Sequence, residues 1–139
     1  MLTRCPFCHR WVLTLLLDRH TTKHIKRGNT GQQESHITVP PDARYEGSLD
    51  QIPQAYHHPK CGASTGMPEQ IIRSYLVNPF LYNDFTFCCG CANYVHSSEL
   101  YWHETGQSLF DYNQQLQAEF IRTHGGPPAK PDDPIMDTN

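Results

Sequence analysis

The hydrophobic pattern predicts three helices, of which the longest covers about residues 108–124. Its apolar side chains recur three or four positions apart, at Leu109, Tyr112, Leu116 and Phe120. This spacing places them on one face of a helix. The sequence S-x-x-D at its start and Gly125 at its end are typical helix caps.

Two shorter helices are predicted upstream. One begins at Pro68, because proline suits a first helical turn, and ends near Val77, where Asn78-Pro79 follows. We predict the other helix over residues 13–25.

Short β-strands are predicted between these helices, at residues 36–39, 85–87 and 100–102. The first is ended by two prolines, and the other two are rich in aromatic residues. The polar, glycine-containing run from Gly28 to Gln33 is typical of a linker. Helices and strands mixed in this way predict a small α+β fold.

The composition limits how far a hydrophobic core can stabilise the chain. It has 139 residues, a hydrophobic fraction of 37% and a mean hydropathy of −0.61, which is little apolar material for one well-filled core. No apolar run approaches the ~18 residues of a membrane span, and no small-residue cleavage site follows the apolar run from Trp11 to Leu17. We therefore expect a cytoplasmic protein with no membrane span.

Cysteine and histidine are the unusual residue types. The chain has six cysteines and nine histidines, and three of the cysteines stand within four residues. In a chain that shows no export signal, such spacing favours metal binding over disulfide bonds. Disulfide pairing, or no metal at all, remains an alternative. Metal ions would supply stability that the small core lacks.

The first candidate metal site is the pattern Cys5-x2-Cys8-x11-His20-x3-His24. A C-x-x-C turn brings two sulfurs to one ion, and two histidines four residues apart lie on one face of a helix. Together they supply the four ligands of a tetrahedral Zn²⁺ site. The pattern resembles the C2H2 zinc finger, with a central spacer one residue short. The resemblance implies that these four residues are zinc ligands.

The same segment is basic and rich in leucine. Residues 1–27 carry a net charge of +5, and the rest of the chain carries −8. The finger resemblance puts Leu13, Leu16 and Arg19 at the base-contacting helix positions. Leucine makes no hydrogen bonds to base edges, so we expect this helix to bind a protein partner. Nucleic-acid binding through the basic residues 4–27 is the alternative.

The second candidate site combines H57-H-P-K-C61-G with C88-C-G-C91. Its predicted ligands are His58, Cys61, Cys88 and Cys91. The members of each pair stand three residues apart, so each pair can form a turn around an ion. The arrangement resembles a zinc-ribbon site, with histidine in one pair and a helix between the pairs. Four protein ligands indicate a closed structural site rather than a catalytic one.

Several alternatives use the same residues. His57 can replace His58 as a ligand, and Cys89 can replace Cys88. The similar pairs Cys5/Cys8 and Cys88/Cys91 can also share one ion, which four thiolates would then hold. A loose resemblance to zinc-flanked HNH nucleases involves the two histidines and Asn83, but Ala92 stands where that family carries His or Asn. A deaminase needs H-x-E before P-C-x-x-C, and neither motif is present.

These observations predict how the chain is organised and what it does. We expect a finger-like module at residues 1–27, a linker at 28–44, a zinc-knuckle domain at 45–125 and a disordered tail at 126–139. Two closed sites predict two Zn²⁺ ions per chain. The predicted function is structural zinc binding in a small protein-interaction module without catalytic residues.

Overall fold

The protein is described by a computed structural model. It describes residues 1–5, 10–20, 31–33 and 35–128, together with the backbone of residues 135–138. Within these ranges the chain forms helices and short antiparallel strands. The predicted α+β class is therefore confirmed.

Nine short strands are found in the described residues. They are β1 Leu2–Arg4, β2 Trp11–Leu13, β3 Ser35–Thr38, β4 Ala55–His57, β5 Ser64–Gly66, β6 Phe85–Cys88, β7 Asn93–His96, β8 Tyr101–Trp102 and β9 Ile135–Thr138. Strands β5, β4 and β8 form a sheet with β4 in the middle, and the others pair as β1–β2, β3–β9 and β6–β7. All these pairings are antiparallel.

Two helices lie within residues 35–128. Helix α1 covers Glu69–Val77 and helix α2 covers Leu109–His124. Short 3-10 turns occur at Thr14–Leu16, Pro41–Ala43 and Ser97–Glu99. None of the helices in the described ranges is long and apolar enough to cross a bilayer.

Helix α2 has the caps that the sequence predicts. The Ser108 hydroxyl accepts a hydrogen bond from the Asp111 N–H at 3.0 Å, and Gly125 ends the helix at a left-handed φ of 81°. The Tyr112 ring packs edge-on against Trp102, with ring centroids 6.0 Å apart. The apolar face of the helix thus covers the core.

Within the described residues, the main hydrophobic core is a small cluster next to the candidate metal residues. Its buried members are Tyr56, Ile72, Tyr75, Cys88, Leu100, Trp102 and Leu109. They come from α1, α2 and the strands β4, β6 and β8, with Leu100 just before β8. A candidate metal ligand, Cys88, is therefore also a core residue.

The segment predicted as a linker is partly packed on helix α1. Thr38 and Val39 are buried, and the Val39 N–H donates a hydrogen bond to the Ser74 hydroxyl at 3.0 Å. Strand β3 also pairs with β9. These contacts are local, and the division of the chain into a linker at 28–44 and a disordered tail at 126–139 stays a prediction. The local composition of the tail does not show that it has a distant strand to pair with.

The first predicted helix begins later than expected. Leu13 lies in β2, residues 14–16 form a 3-10 turn, and residues 17–20 are α-helical. The Thr14 N–H donates to the Met1 carbonyl at 3.1 Å, which extends the β1–β2 hairpin to this point. The helix predicted over 13–25 is therefore wrong at its start, and residues 21–25 lie outside the described ranges.

Candidate metal site

The structure brings together the four residues predicted for the second site. One ring nitrogen of His58 and the sulfurs of Cys61, Cys88 and Cys91 all lie within 4.8 Å of one another. The Cys61 and Cys88 sulfurs are 3.4 Å apart. His58 Nδ1 is 3.6 Å from the Cys88 sulfur and 3.4 Å from the Cys91 sulfur. A group with these donors can hold a metal ion.

These distances match the edges of a tetrahedron around one ion. With Zn–S and Zn–N bonds of about 2.3 and 2.0–2.1 Å, a regular tetrahedron separates two sulfurs by about 3.8 Å and a sulfur from a nitrogen by about 3.6 Å. A disulfide would bring two sulfurs to about 2.05 Å. The five cysteines of the described ranges form no disulfide. The donor set therefore fits a metal ion better than covalent pairing.

The first pair is held by the turn that follows strand β4. The N–H groups of Cys61 and Gly62 both donate to the His58 carbonyl, at 3.2 and 2.7 Å. The His58 N–H donates to the Ala63 carbonyl at 3.0 Å. Gly62 takes a left-handed φ of 78°, which glycine adopts without strain. We call residues 58–62 the first knuckle.

The second pair lies in the turn of the β6–β7 hairpin. Cys88 ends β6 opposite Asn93, and Ala92 between the strands has a left-handed φ of 51°. A Cβ atom on Gly90 would come within 2.8 Å of the Cys61 sulfur. Only glycine lets the two turns approach this closely. We call residues 88–92 the second knuckle.

The structure distinguishes the predicted ligands from their neighbours. His58 is buried and faces the sulfurs, whereas the His57 ring packs against His103, with centroids 5.1 Å apart. The Cys88 sulfur lies inside the cluster, whereas the Cys89 sulfur hydrogen-bonds to the Ser64 carbonyl at 3.1 Å. His57 is the last residue of β4 and Cys88 the last residue of β6, so in each pair one residue belongs to the strand and its neighbour to the turn that follows.

The thiols of the cluster differ in acidity. A hydrogen bond from the Ala63 backbone lowers the pKa of the Cys61 thiol to about 7. Partial loss of hydration, reinforced by the neighbouring sulfurs, raises the pKa of the Cys91 thiol to about 11. Cys61 therefore ionises before Cys91, and thiol protons remain at neutral pH on Cys91 and on part of the Cys61 population. A bound cation would displace those protons, because thiolates are the metal-binding form.

A carboxylate lies behind the histidine. His58 Nε2 is buried, makes no hydrogen bond within the described residues and lies 3.9 Å from the Glu99 carboxylate. The same carboxylate is 3.7 Å from the Lys60 ammonium. Metal-bound histidines commonly donate their second ring N–H to a carboxylate. No sequence pattern indicates Glu99 as a partner of His58, because 41 positions separate the two residues.

The N-terminal candidate site is only partly described. Cys5 is fully buried and its N–H donates to the Arg10 carbonyl at 2.8 Å, next to the β1–β2 hairpin. His20 is half-buried at the end of the helical residues 17–20. Cys8 and His24 lie outside the described residues, so this site stays a prediction. The cluster around Cys88 and Cys91 is completed by His58 and Cys61 and does not include Cys5.

We compared the chain with protein-family models, with curated proteins and with solved structures, and none of the three comparisons found a match.

Proposed function

We propose that the chain binds a structural Zn²⁺ through His58, Cys61, Cys88 and Cys91. The observation that carries this proposal is the single cluster of one nitrogen and three sulfurs, all within 4.8 Å of one another. Zinc prefers such ligands in tetrahedral geometry, and four protein ligands leave no open position for a substrate. The thiolates also need a reducing compartment, which agrees with the expected cytoplasmic location.

The role of the ion is to join two parts of the chain. It links the turn after β4 to the β6–β7 hairpin, and Cys88 connects the ion to the core. Tyr56 of β4 supports the same junction, because its hydroxyl donates to the Phe87 carbonyl beside Cys88. Burial raises the pKa of Tyr56, so this hydroxyl keeps the proton it donates.

Zinc content measured by elemental analysis tests the site. Cys88→Ser should lose one equivalent of Zn²⁺ relative to the wild type. Cys89→Ser is a matched control at the adjacent position and should lose none. Equal loss in the two variants, or no zinc in the wild type, would contradict the proposal.

A second ion in the N-terminal segment is part of the proposal. Its support is the order of elements, a β-hairpin followed by helical residues, which is the ββα order of a C2H2 finger. Wild-type protein should then hold about two equivalents, and Cys5→Ser should lose one of them. A total of one equivalent, released by both Cys5→Ser and Cys88→Ser, would indicate the single shared site instead.

We also propose that the N-terminal module binds a protein. Its hairpin pairs Leu2 with Leu13 and Arg4 with Trp11, so these four side chains share one face. All four are exposed, and Leu15 beyond them is 96% exposed. Contiguous exposed apolar side chains commonly mark interaction sites. A photo-reactive benzoylphenylalanine at position 15 should form adducts in cells, and the same group at exposed position 114 of α2 should not.

Nucleic acid is the second candidate partner. The observation that favours it is the exposure of three arginines, Arg4, Arg10 and Arg19, in the same basic segment. Phosphate contacts of this kind predict affinity that falls steeply with salt. Binding to a DNA or RNA duplex that does not change between 50 and 200 mM salt would exclude this candidate.

A catalytic role is not part of the proposal. In the nuclease interpretation a histidine activates water, but the His58 Nδ1 atom faces the sulfurs of Cys88 and Cys91. The Asn83 side-chain carbonyl accepts a hydrogen bond from the Phe85 N–H at 3.0 Å and caps a turn. The protein should therefore not nick plasmid DNA with added Mg²⁺ or Mn²⁺. Nicking that His57→Ala abolishes without loss of zinc would contradict this.

A further inference from the structure

The candidate zinc site is open to solvent on one side. Cys61 and Cys91 are exposed, whereas His58 is 2% exposed and Cys88 is fully buried. A small solute can therefore reach two of the four ligands without unfolding the core. Accessible thiolates are the cysteines that react with oxidants, whereas cysteines enclosed in the core are inert.

The two knuckles also bring a sulfur of one turn against a sulfur of the other. The Cys61 and Cys88 sulfurs are 3.4 Å apart, and a disulfide bond is about 2.05 Å long. Gly90 permits this contact, because a Cβ atom there would lie 2.8 Å from the Cys61 sulfur. A covalent bond between the knuckles thus needs only a small movement of the two turns.

Such a bond and a bound ion exclude each other. Zinc is held by thiolates, and the two sulfurs of a disulfide are no longer thiolates. After Cys61 and Cys88 have joined, His58 and Cys91 are the remaining members of the cluster. Two ligands do not close a tetrahedral site, so the ion leaves when the bond forms.

We propose that this site is a redox-sensitive link between the knuckles. Zn²⁺ holds the link under reducing conditions, and a Cys61–Cys88 disulfide holds it after oxidation by a peroxide. The inference rests on the proposed zinc site and adds its regulation. In both states the turn after β4 stays attached to the β6–β7 hairpin, but the oxidised state gives up its ion.

Hydrogen peroxide, a two-electron oxidant, drives the exchange in two steps. The Cys61 thiolate attacks a peroxide oxygen, the O–O bond breaks and hydroxide leaves, which converts the thiolate to a sulfenic acid. The Cys88 thiolate then attacks the Cys61 sulfur, so the S–S bond forms, the S–O bond breaks and a second hydroxide leaves. The two thiolates lose two electrons, and the peroxide gains them. A dithiol reductant reverses the change by thiol–disulfide exchange.

Zinc release measures the first consequence. Zinc-loaded protein treated with excess hydrogen peroxide should release one equivalent of Zn²⁺ from this site to a chromogenic chelator. Cys5→Ser protein gives the same measurement without an N-terminal ion. Dithiothreitol and added Zn²⁺ should then restore the original zinc content. Zinc that stays bound in excess peroxide would overturn the inference.

A tryptic digest of the oxidised wild type identifies the bond. Trypsin cuts after Lys60, Arg73 and Arg122, so Cys61 and the second knuckle fall in different peptides. A disulfide from Cys61 to Cys88 joins these peptides, whereas a disulfide within the second knuckle leaves them separate. Fragmentation of the joined pair should assign the bond to Cys88. Separate peptides, each carrying its own oxidation products, would overturn the inference.

Three variants test the choice of cysteines. Cys91→Ser keeps the proposed pair and should still form the bond between the knuckles, whereas Cys61→Ser should not. Cys89→Ser is the matched control and should release zinc and form the bond like the wild type. Loss of the bond in Cys89→Ser would overturn the assignment to Cys88.

Thermal melting tests whether the oxidised link supports the fold. The oxidised, zinc-free protein should melt about 10 °C above the reduced protein in chelator, because the disulfide restricts the unfolded chain. Equal melting temperatures would contradict a link that persists in both states. Zinc content before oxidation separates the two proposals. Its absence would overturn the zinc site and this inference together, whereas bound zinc without the predicted disulfide would overturn this inference alone.

Discussion

Two residues next to the candidate ligands adopt left-handed backbone conformations, Gly62 at φ 78° and Ala92 at φ 51°. Each directly follows the last cysteine of its knuckle. Glycine adopts this conformation freely, whereas for alanine it costs roughly 1–2 kcal/mol. The first knuckle is therefore relaxed at this position, and the second knuckle is strained.

This difference predicts opposite effects of exchanging the two residue types. Ala92→Gly should raise the free energy of unfolding by about 0.5 kcal/mol, because relief of strain exceeds the added freedom of glycine in the unfolded chain. Gly62→Ala should lower it by about 1 kcal/mol. Urea denaturation of the zinc-loaded protein measures both.

Gly66→Ala is the control for this pair. Gly66 lies in β5 without a left-handed φ, and a Cβ atom there would meet nothing within 4 Å. The variant should be nearly neutral. A cost equal to that of Gly62→Ala would show that backbone conformation is not the cause.

The carboxylate behind His58 leads to a second prediction for single residues. Glu99→Ala should weaken zinc binding about tenfold, because the histidine loses the acceptor that orients its ring. Glu99→Gln retains an oxygen acceptor and should lose less. Competition with a chromogenic chelator measures the affinity. Glu46→Ala removes an equal charge from an exposed loop position and should have no effect, so a matching loss there would point to net charge instead.

The cluster of candidate ligands was predictable from spacing, but its surroundings were not. A pair of potential ligands three residues apart is visible in the sequence, as with His58 and Cys61. The choice between His58 and His57 needs the bounds of β4, which decide where each ring points. Glu99 approaches the histidine only because the chain folds back after β7, and no local pattern indicates that contact.

At the scale of secondary structure elements, helix α2 depends on its caps. The Ser108 hydroxyl accepts the Asp111 N–H, so Ser108→Ala should lower the free energy of unfolding by about 1 kcal/mol. Gln114→Ala in the exposed middle of the same helix should be neutral or slightly stabilising, because alanine favours helix. Chemical denaturation compares the two variants. An equal loss in both would mean that the cap contributes nothing of its own.

Elements with local stop and start residues were predicted well. Helices α1 and α2 begin and end within about one residue of the positions indicated by Pro68, Asn78, Ser108 and Gly125. Strand β9 was missed because its partner β3 lies about a hundred residues earlier. Leu13 was assigned to a helix, but cross-strand pairing with Leu2 holds it in β2. Pairing between distant segments overrides local preference in both cases.

At the scale of the whole molecule, the core is small and contains a candidate ligand. Its seven buried residues include Cys88, and the turn that holds this cysteine reaches β4 through Tyr56. Structural Zn²⁺ binding contributes roughly 10 kcal/mol or more in zinc-finger peptides, which is comparable to the total stability of a domain. Loss of the ion should therefore affect the entire fold and not one loop.

Removal of the metal tests this expectation. A strong chelator should abolish the near-ultraviolet circular dichroism of the core aromatic residues and lower the melting temperature by tens of degrees. Readdition of Zn²⁺ should restore both under reducing conditions. Cys89→Ser should respond like the wild type. A melting temperature that chelation does not change would show that the core is stable without metal.

The order of the two knuckles along the chain has a consequence for biosynthesis. His58 precedes Cys88 by 30 residues, and helix α1 lies between them. Translation proceeds at about 5–20 residues per second, so the first knuckle leaves the ribosome a few seconds before its partner. During that interval only two of the four candidate ligands of this site, the His58 imidazole and the Cys61 thiol, have been made. Capture of the ion, and with it completion of the core, must therefore wait until the β6–β7 hairpin has been made.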